Sequence, residues 1–287
     1  MNMRKKVIFG VCLVTLLGFC GCSAPSDTNL NTPTAGLEKM GTITIVSREE
    51  GSGTRSSFAA LLDVQSDTMD LPGSNAVVAN NADEVISIVE KDSSAIGYVS
   101  LGALNDAQNV KILSIDQAET KEKRYLLSRS FYLAYCGERS DLESDFLTYI
   151  HSAGQEIVAA SYTAVAKRST FLSNQASGTI TISGSTSVAP LIEALARAYG
   201  KYNPNAVITV LPTDSTQGLT SAMSGQCDFG MSSRDLEEYE QQLLDYTIIA
   251  EDSIAVIVNR DNPLENMTSD TLKNIYMGSI KTWDEIK

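Results

Sequence analysis

The stretch Ser47-Arg48-Glu49-Glu50-Gly51-Ser52-Gly53-Thr54-Arg55 holds the densest set of groups able to do chemistry in this 287-residue chain. A Gly-Ser-Gly-Thr turn ahead of a helix leaves backbone N–H groups pointing off the helix start, where no intrahelical carbonyl can accept them. Those amides, the positive end of the helix dipole and the neighbouring hydroxyls together form an anion receptor. Arg48 and Arg55 flank the turn, and a guanidinium grips two oxygens of a tetrahedral oxyanion at once. A plain strand-to-helix turn with an Arg–Glu surface pair would read the same from this stretch alone.

The elements around it set its geometry. Ile43-Thr44-Ile45-Val46 alternates with the period of a strand, and Ser56 to Leu62 continues with helix spacing. The pattern recurs later: Thr179-Ile180-Thr181-Ile182 alternates, Ser183-Gly184-Ser185-Thr186-Ser187 turns, and Pro190 to Tyr202 forms a helix with Pro near its start. A strand over Val207–Leu211 leads into Thr213-Asp214-Ser215-Thr216-Gln217-Gly218 and a helix over Leu219–Met223, and Asp228-Phe229-Gly230-Met231-Ser232-Ser233-Arg234 is another strand end. Further strands are expected over 95–99, 110–115 and 125–135, helices over 82–91 and 142–160, and a polar linker over 166–178. Strands alternating with helices predict an α/β fold with mostly parallel sheets and a ligand at the carboxyl ends of the strands. Four strand-end loops, 51–54, 183–187, 213–216 and 231–233, therefore supply small hydroxyl residues to one region, as a hydrogen-bonding cage. Helix capping by Ser and Thr is the plainer account of each loop taken singly.

Composition removes several classes of function. The single histidine, His151, falls on an amphipathic helix as a surface or structural residue, which leaves no His-dependent triad and no His metal cluster. A serine hydrolase using Ser52 or Ser187 would lack both a histidine base and a Gly-x-Ser-x-Gly elbow. The Gly-rich turn also lacks the lysine of a phosphate-binding NTPase loop. The chain thus reads as a binding protein without metal or cofactor rather than an enzyme. Its net charge of −13 argues against nucleic acid and against broad contact with anionic lipid. A small anion is not excluded, because surface charge beyond a Debye length of about 8 Å is screened. Cys136 and Cys227 could pair in an oxidising compartment, although Cys227 lies in an apolar run that suits a buried thiol.

Residues 1–22 read as a targeting segment. Arg4, Lys5 and Lys6 precede an apolar run, Val7 to Phe19, shorter than the roughly 20 residues a spanning helix needs. Phe19-Cys20-Gly21-Cys22-Ser23 resembles a bacterial lipoprotein cleavage box with Cys22 as the palmitate-bearing residue, with Phe where Leu is usual. A plain signal peptide with incidental cysteines is the alternative. Residues 23–40 are rich in Ser, Thr, Asn and Pro and read as a flexible tether.

Ile182-Ser183-Gly184-Ser185-Thr186-Ser187-Val188-Ala189-Pro190-Leu191 resembles the opening of the phosphate-binding proteins of phosphate ABC transporters. Asp228 to Arg234 is similar to that family's next binding loop, Val46 to Arg55 to its most specific motif, and Ala95-Ile96-Gly97-Tyr98-Val99 to a later strand. The likeness spans nearly all of Gly41–Lys287, with the two halves exchanged in order. It reads as a circular permutation, with old termini joined through 166–178 and new ones opened between Lys287 and Gly41. A fragment of a tandem array is the alternative. The resemblance implies a two-lobed periplasmic-binding-protein fold (type II-like), with two crossing strands between the lobes. Lobe A would be 136–253, and lobe B 41–124 plus 260–287, with crossings at 125–135 and 254–259. It implies phosphate contacts from Arg48, Ser52, Gly53, Thr54, Thr186, Ser187, Ser215 and Ser233, with Glu50 holding Arg48 and Asp214 nearby. Some members carry an aspartate at the Ser233 position that accepts the proton of hydrogen phosphate. Serine there leaves sulfate or molybdate as alternative ligands, and sensing as an alternative role. The implied protein is an extracytoplasmic monomer, held to the cell membrane only by lipid on Cys22, that passes inorganic phosphate to the permease subunits of an importer.

Overall fold

A computed structural model describes residues 36–64 and 76–286; the targeting segment 1–22, Cys22 and the tether to residue 35 lie outside the described residues. The first alternation of strand and helix is β1 (Thr44–Arg48), α1 (Gly53–Leu61), β2 (Ala76–Ala79), α2 (Ala82–Lys91) and β3 (Ala95–Ser100). Then come β4 (Val110–Ile112), β5 (Ser114–Ile115), β6 (Ser128–Tyr135), α3 (Asp141–Ile150) and α4 (Gln155–Ser161). The second alternation is β7 (Gly178–Ser185), α5 (Ala189–Tyr199), β8 (Ala206–Thr213), α6 (Ser215–Met223) and β9 (Phe229–Ser232). The chain continues through α7 (Glu238–Leu243), β10 (Asp245–Asn259), β11 (Asn266–Met267) and α8 (Ser269–Tyr276).

The two alternations build the same sheet twice. β1 lies between β2 and β3, parallel to both, as β7 lies between β8 and β9. Each trio ends against an antiparallel strand, β10 beside β3 and β6 beside β9, and β10 and β6 pair with each other to close the order β2-β1-β3-β10-β6-β9-β7-β8. β10 serves both halves: Asp245 to Ser253 pairs with β6, and Ile254 to Val258 pairs with β3. Each half buries its own apolar set. Ile45, Phe58, Ile96, Val256 and Trp283 pack in one, Phe131, Phe146, Ile182, Leu195 and Phe229 in the other. The result is an α/β, two-lobed periplasmic-binding fold.

Several sequence-based boundaries differ from these elements. The crossings are narrower than 125–135 and 254–259. Tyr125 and Leu127 already belong to the lobe B core and Phe131 to the lobe A core, so the chain passes over at Leu127–Ser128 and again at Ser253–Ile254. A strand that runs unbroken from one sheet into another carries no compositional mark of the passage. The single helix expected over 142–160 is two helices. Gly154 N–H donates back to the Tyr149 carbonyl at 2.9 Å, closing the first helix, while the apolar positions on either side still face one core. Residues 110–115 divide between β4, which joins β10, and β5, which pairs with β11 in a separate small sheet. The tether does not reach residue 40, because Leu37 is 1% exposed in the lobe B core. The 166–178 linker is irregular but tied down: Asp145 accepts from the Ser173 hydroxyl at 2.7 Å and from Asn174 N–H at 2.9 Å. Cys136 is exposed and Cys227 buried, and both are free thiols. His151 is partly buried 2.9 Å from the Thr247 hydroxyl, and burial pulls its pKa down.

Candidate functional site

The expected loops meet where the lobes face each other. β1 delivers Arg48 to its carboxyl end, where the residue is 1% exposed. Below it Tyr98 stacks on Phe58 at 4.0 Å, and the Tyr98 hydroxyl accepts the Arg48 backbone N–H at 3.2 Å. This aromatic floor fixes the strand end from which the guanidinium projects. Nε and Nη2 donate to the two oxygens of Glu49, each at 2.7 Å, and Nη2 reaches across the lobes to the Thr186 hydroxyl at 3.1 Å. Nη1 is buried and has no partner. Leaving a buried donor unpaired costs about 1–3 kcal/mol, so an unsatisfied guanidinium nitrogen inside a cleft points to an acceptor that belongs there. The carboxylate that orients Arg48 is Glu49, which corrects the assignment to Glu50. Both follow the strand directly, but Glu50 already sits in the turn and is exposed.

Hydroxyls from both lobes close around this point. Thr54, in the first turn of α1, has its hydroxyl 2.8 Å from that of Ser187. Ser52 caps α1, its oxygen accepting from Arg55 N–H at 3.4 Å. Gly53 opens the helix so close to lobe A that an added Cβ would overlap the Ser215 hydroxyl and lie 2.6 Å from that of Ser233. Ser215 is the first residue of α6, so the starts of α1 and α6, with the positive ends of their dipoles, face each other here. Ser185 donates to the Ser233 oxygen at 2.9 Å, Ser215 lies 3.5 Å from the same oxygen, and Ser233 N–H donates to Ser215 at 3.1 Å. Asp214 caps α6 through Gln217 N–H at 2.8 Å. It stands against Gly51, whose φ of +85° and missing side chain permit the approach. Thr216 N–H donates to the Gly51 carbonyl at 3.4 Å, a further bond between lobes.

Seven of the eight sequence-expected residues, Arg48, Gly53, Thr54, Thr186, Ser187, Ser215 and Ser233, thus come together between the lobes, while Ser52 stands beside them as the cap of α1. Sequence reasoning missed Ser57, whose hydroxyl donates to the Ser233 carbonyl at 2.9 Å, and Arg129, whose Nη1 donates to the same carbonyl at 3.2 Å. Ser57 sits two residues beyond the recognised motif. Arg129 carries no local signal, since its partners lie more than 100 residues away. Chemically the arrangement donates: one buried guanidinium nitrogen, a set of hydroxyls and two helix starts, with the facing carboxylate Glu49 already spent on Arg48. Such a site binds an oxyanion and holds no nucleophile–base pair.

A family model described as a PBP superfamily domain matches residues 169–286. The chain is 37% identical over 299 residues to phosphate-binding protein PstS 2 of Streptococcus pneumoniae, covering 100% of both chains. The crystal structure of a phosphate-binding protein of a phosphate ABC transporter from S. pneumoniae TIGR4 superposes with a TM-score of 0.69 at 36% identity, over 86% of this chain and 100% of that one. Phosphate-binding protein PstS of Bacillus subtilis is 34% identical over 117 residues, 39% of this chain and 38% of its own. Identity sustained along the full length of both chains, on a shared two-lobed fold, shows that the protein belongs to the family of phosphate-binding proteins of phosphate ABC transporters.

Proposed function

We propose that the protein captures inorganic phosphate between its lobes and presents it to the permease subunits of an ABC importer. The observation that carries this reading is the buried, unpartnered Nη1 of Arg48 amid hydroxyls drawn from both lobes. Phosphate satisfies that nitrogen and the facing helix starts in one ligand, and each lobe then contributes donors only when the cleft is shut. Ser233 takes the place of an aspartate proton acceptor. A hydroxyl both donates and accepts, so the bonded set Ser185–Ser233–Ser215 receives the proton of hydrogen phosphate without a carboxylate. Titration calorimetry and thermal shift with phosphate, sulfate and molybdate test this. Saturable one-to-one phosphate binding is expected, and stabilisation by sulfate alone would overturn it.

The protein works outside the cytoplasmic membrane as a lipid-anchored monomer, with Cys22 as the anchored residue. Replacing Cys22 by Ala should move it from the membrane fraction into the medium, and retention by the membrane would refute the anchor. The order of its halves is shared with the S. pneumoniae relative, which aligns with it along the full length of both chains. An exchange relative to the B. subtilis protein accords with a match that spans only 39% of this chain, since one collinear alignment captures a single half when the order differs.

A further inference from the structure

Arg129 and Asp252 meet where β6 and β10 pass between the lobes, 3% and 0% exposed at their side chains. Arg129 donates to Asp252 Oδ2 from Nε at 3.1 Å and from Nη2 at 2.9 Å. Its third nitrogen, Nη1, holds the Ser233 carbonyl. Asp252 Oδ1 accepts from the Ser100 hydroxyl at 3.0 Å, and Ser100 ends β3 in lobe B. Tyr162 from lobe A closes the same region, its ring against Gly102 of lobe B, where any side chain would collide with it. The guanidinium also lies 5.3 Å over the Phe131 ring.

The node is more than a buried ion pair because of what it spans. Asp252 alone would neutralise Arg129, yet the third guanidinium arm is spent on a backbone carbonyl of the anion-binding loop. That carbonyl is taken from the other side by Ser57 of lobe B. Burial disfavours both charges, pushing the Asp252 carboxyl up and the Arg129 guanidinium down, and the positive charge of Arg48 adds to the depression of Arg129. A pair that costs this much desolvation holds only while its hydrogen bonds are all made. We infer that Arg129, held by Asp252, is a positioning residue for anion capture: it sets the Ser233 loop and, through Ser100, makes that setting depend on lobe closure. Neither residue touches the anion. Their effect falls on how long the closed cleft persists, and so on dissociation of the ligand rather than association.

The inference rests on the phosphate reading, so its test includes a readout free of phosphate. Ser100→Ala removes the hydroxyl bond from lobe B to Asp252, and Arg129→Lys keeps the charge but replaces the planar fork, whose separate nitrogens reach Asp252 and Ser233, by one ammonium. Stopped-flow measurements should show phosphate leaving both variants about tenfold faster, as loss of a hydrogen bond to a charged group implies, with association rates within about twofold of wild type. Hydrogen exchange on the ligand-free proteins should show the Ser233 amide opening faster in both, while amides in the β7 and β1 centres hold. Unchanged dissociation together with unchanged exchange at Ser233 would overturn the inference, as would a lowered melting temperature with both of those readouts intact. If Arg129→Lys fails to fold, Ser100→Ala decides the question alone. If wild type shows no phosphate binding, the functional reading fails by itself and the exchange experiment still judges the node.

Discussion

Arg48 does three things with three nitrogens, and only one of them is free for a ligand. Nε and Nη2 are fixed by Glu49, Nη2 also meets Thr186, and Nη1 waits in the cleft. Arg48→Ala should therefore cut phosphate affinity at least about tenfold, since a charge-assisted hydrogen bond contributes about 1.5–3 kcal/mol. Its circular dichroism should stay unchanged; a wild-type titration would remove Arg48 from the site. Gly53→Ala tests the opposite kind of effect, because it removes no donor. Its methyl would enter space held by the Ser215 and Ser233 hydroxyls, so closure and not chemistry is obstructed. Phosphate affinity should fall by about tenfold or more, while the ligand-free melting temperature moves little because an open cleft accommodates the methyl. At this scale the sequence singles out Arg48, Ser52, Gly53 and Thr54 as candidates, because their types follow from local turn geometry. It could not choose between Glu49 and Glu50, since which carboxylate folds back on the arginine depends on where the strand stops and the turn begins.

Helices in this fold are held by their ends as much as by their faces, and α7 shows it best. Glu240 lies fully buried within α7, where its carboxylate takes Arg234 Nη1 at 2.8 Å and Nη2 at 2.9 Å, and also the N–H of Glu237 at 2.7 Å. Burial pushes Glu240 up, but Arg234 and the backbone donor pull harder, so its pKa lies below the ordinary glutamate value. A carboxylate depressed in the folded state contributes stability above its unfolded pKa and loses it as pH falls through the folded value. Glu240→Gln should therefore cost about 3 kcal/mol near neutrality, where it leaves the buried Arg234 charge without its carboxylate, and the deficit should shrink on acidification below the ordinary glutamate range. Urea melts of both proteins across that range measure it; a deficit constant with pH would refute the pairing. The β1 and β7 strands, α2 and α5 were legible because alternation and helical spacing mark half-buried elements. β2 was not, since Ala76-Val77-Val78-Ala79 lacks alternation and exposes both valines at the sheet edge. α8 escaped too, its buried Leu272, Ile275 and Tyr276 crowded into two short turns among polar residues.

Two repeated sheets joined by β10 and β6 allow lobe motion and also make the order of the halves a matter of connection rather than packing. The two sets of buried residues are separate, and the segments proposed as newly opened lie side by side: Ile43 N–H donates to the Lys281 carbonyl at 2.8 Å and Trp283 N–H to the Gly41 carbonyl at 3.0 Å. Thr42 and Thr282 face each other as an antiparallel bridge. A linker of a few glycines can therefore join residue 286 to residue 41 without moving either, and its closure entropy is small because the loop is short. The chain can be opened instead between Arg168 and Ser169, both exposed, which keeps Phe171 against Tyr149 and Ser173 on Asp145. A protein spliced in that order, 169–286 ahead of 41–168, should fold with a melting temperature within a few degrees of the natural chain and bind phosphate within about threefold of its affinity. Both sheets, both crossings and every cleft residue are retained, so nothing the ligand touches has changed. Calorimetry and far-UV circular dichroism would measure this. A spliced protein that folds but no longer binds would mean that the cleft depends on where the chain is cut, and that the order of the halves bears on the site itself.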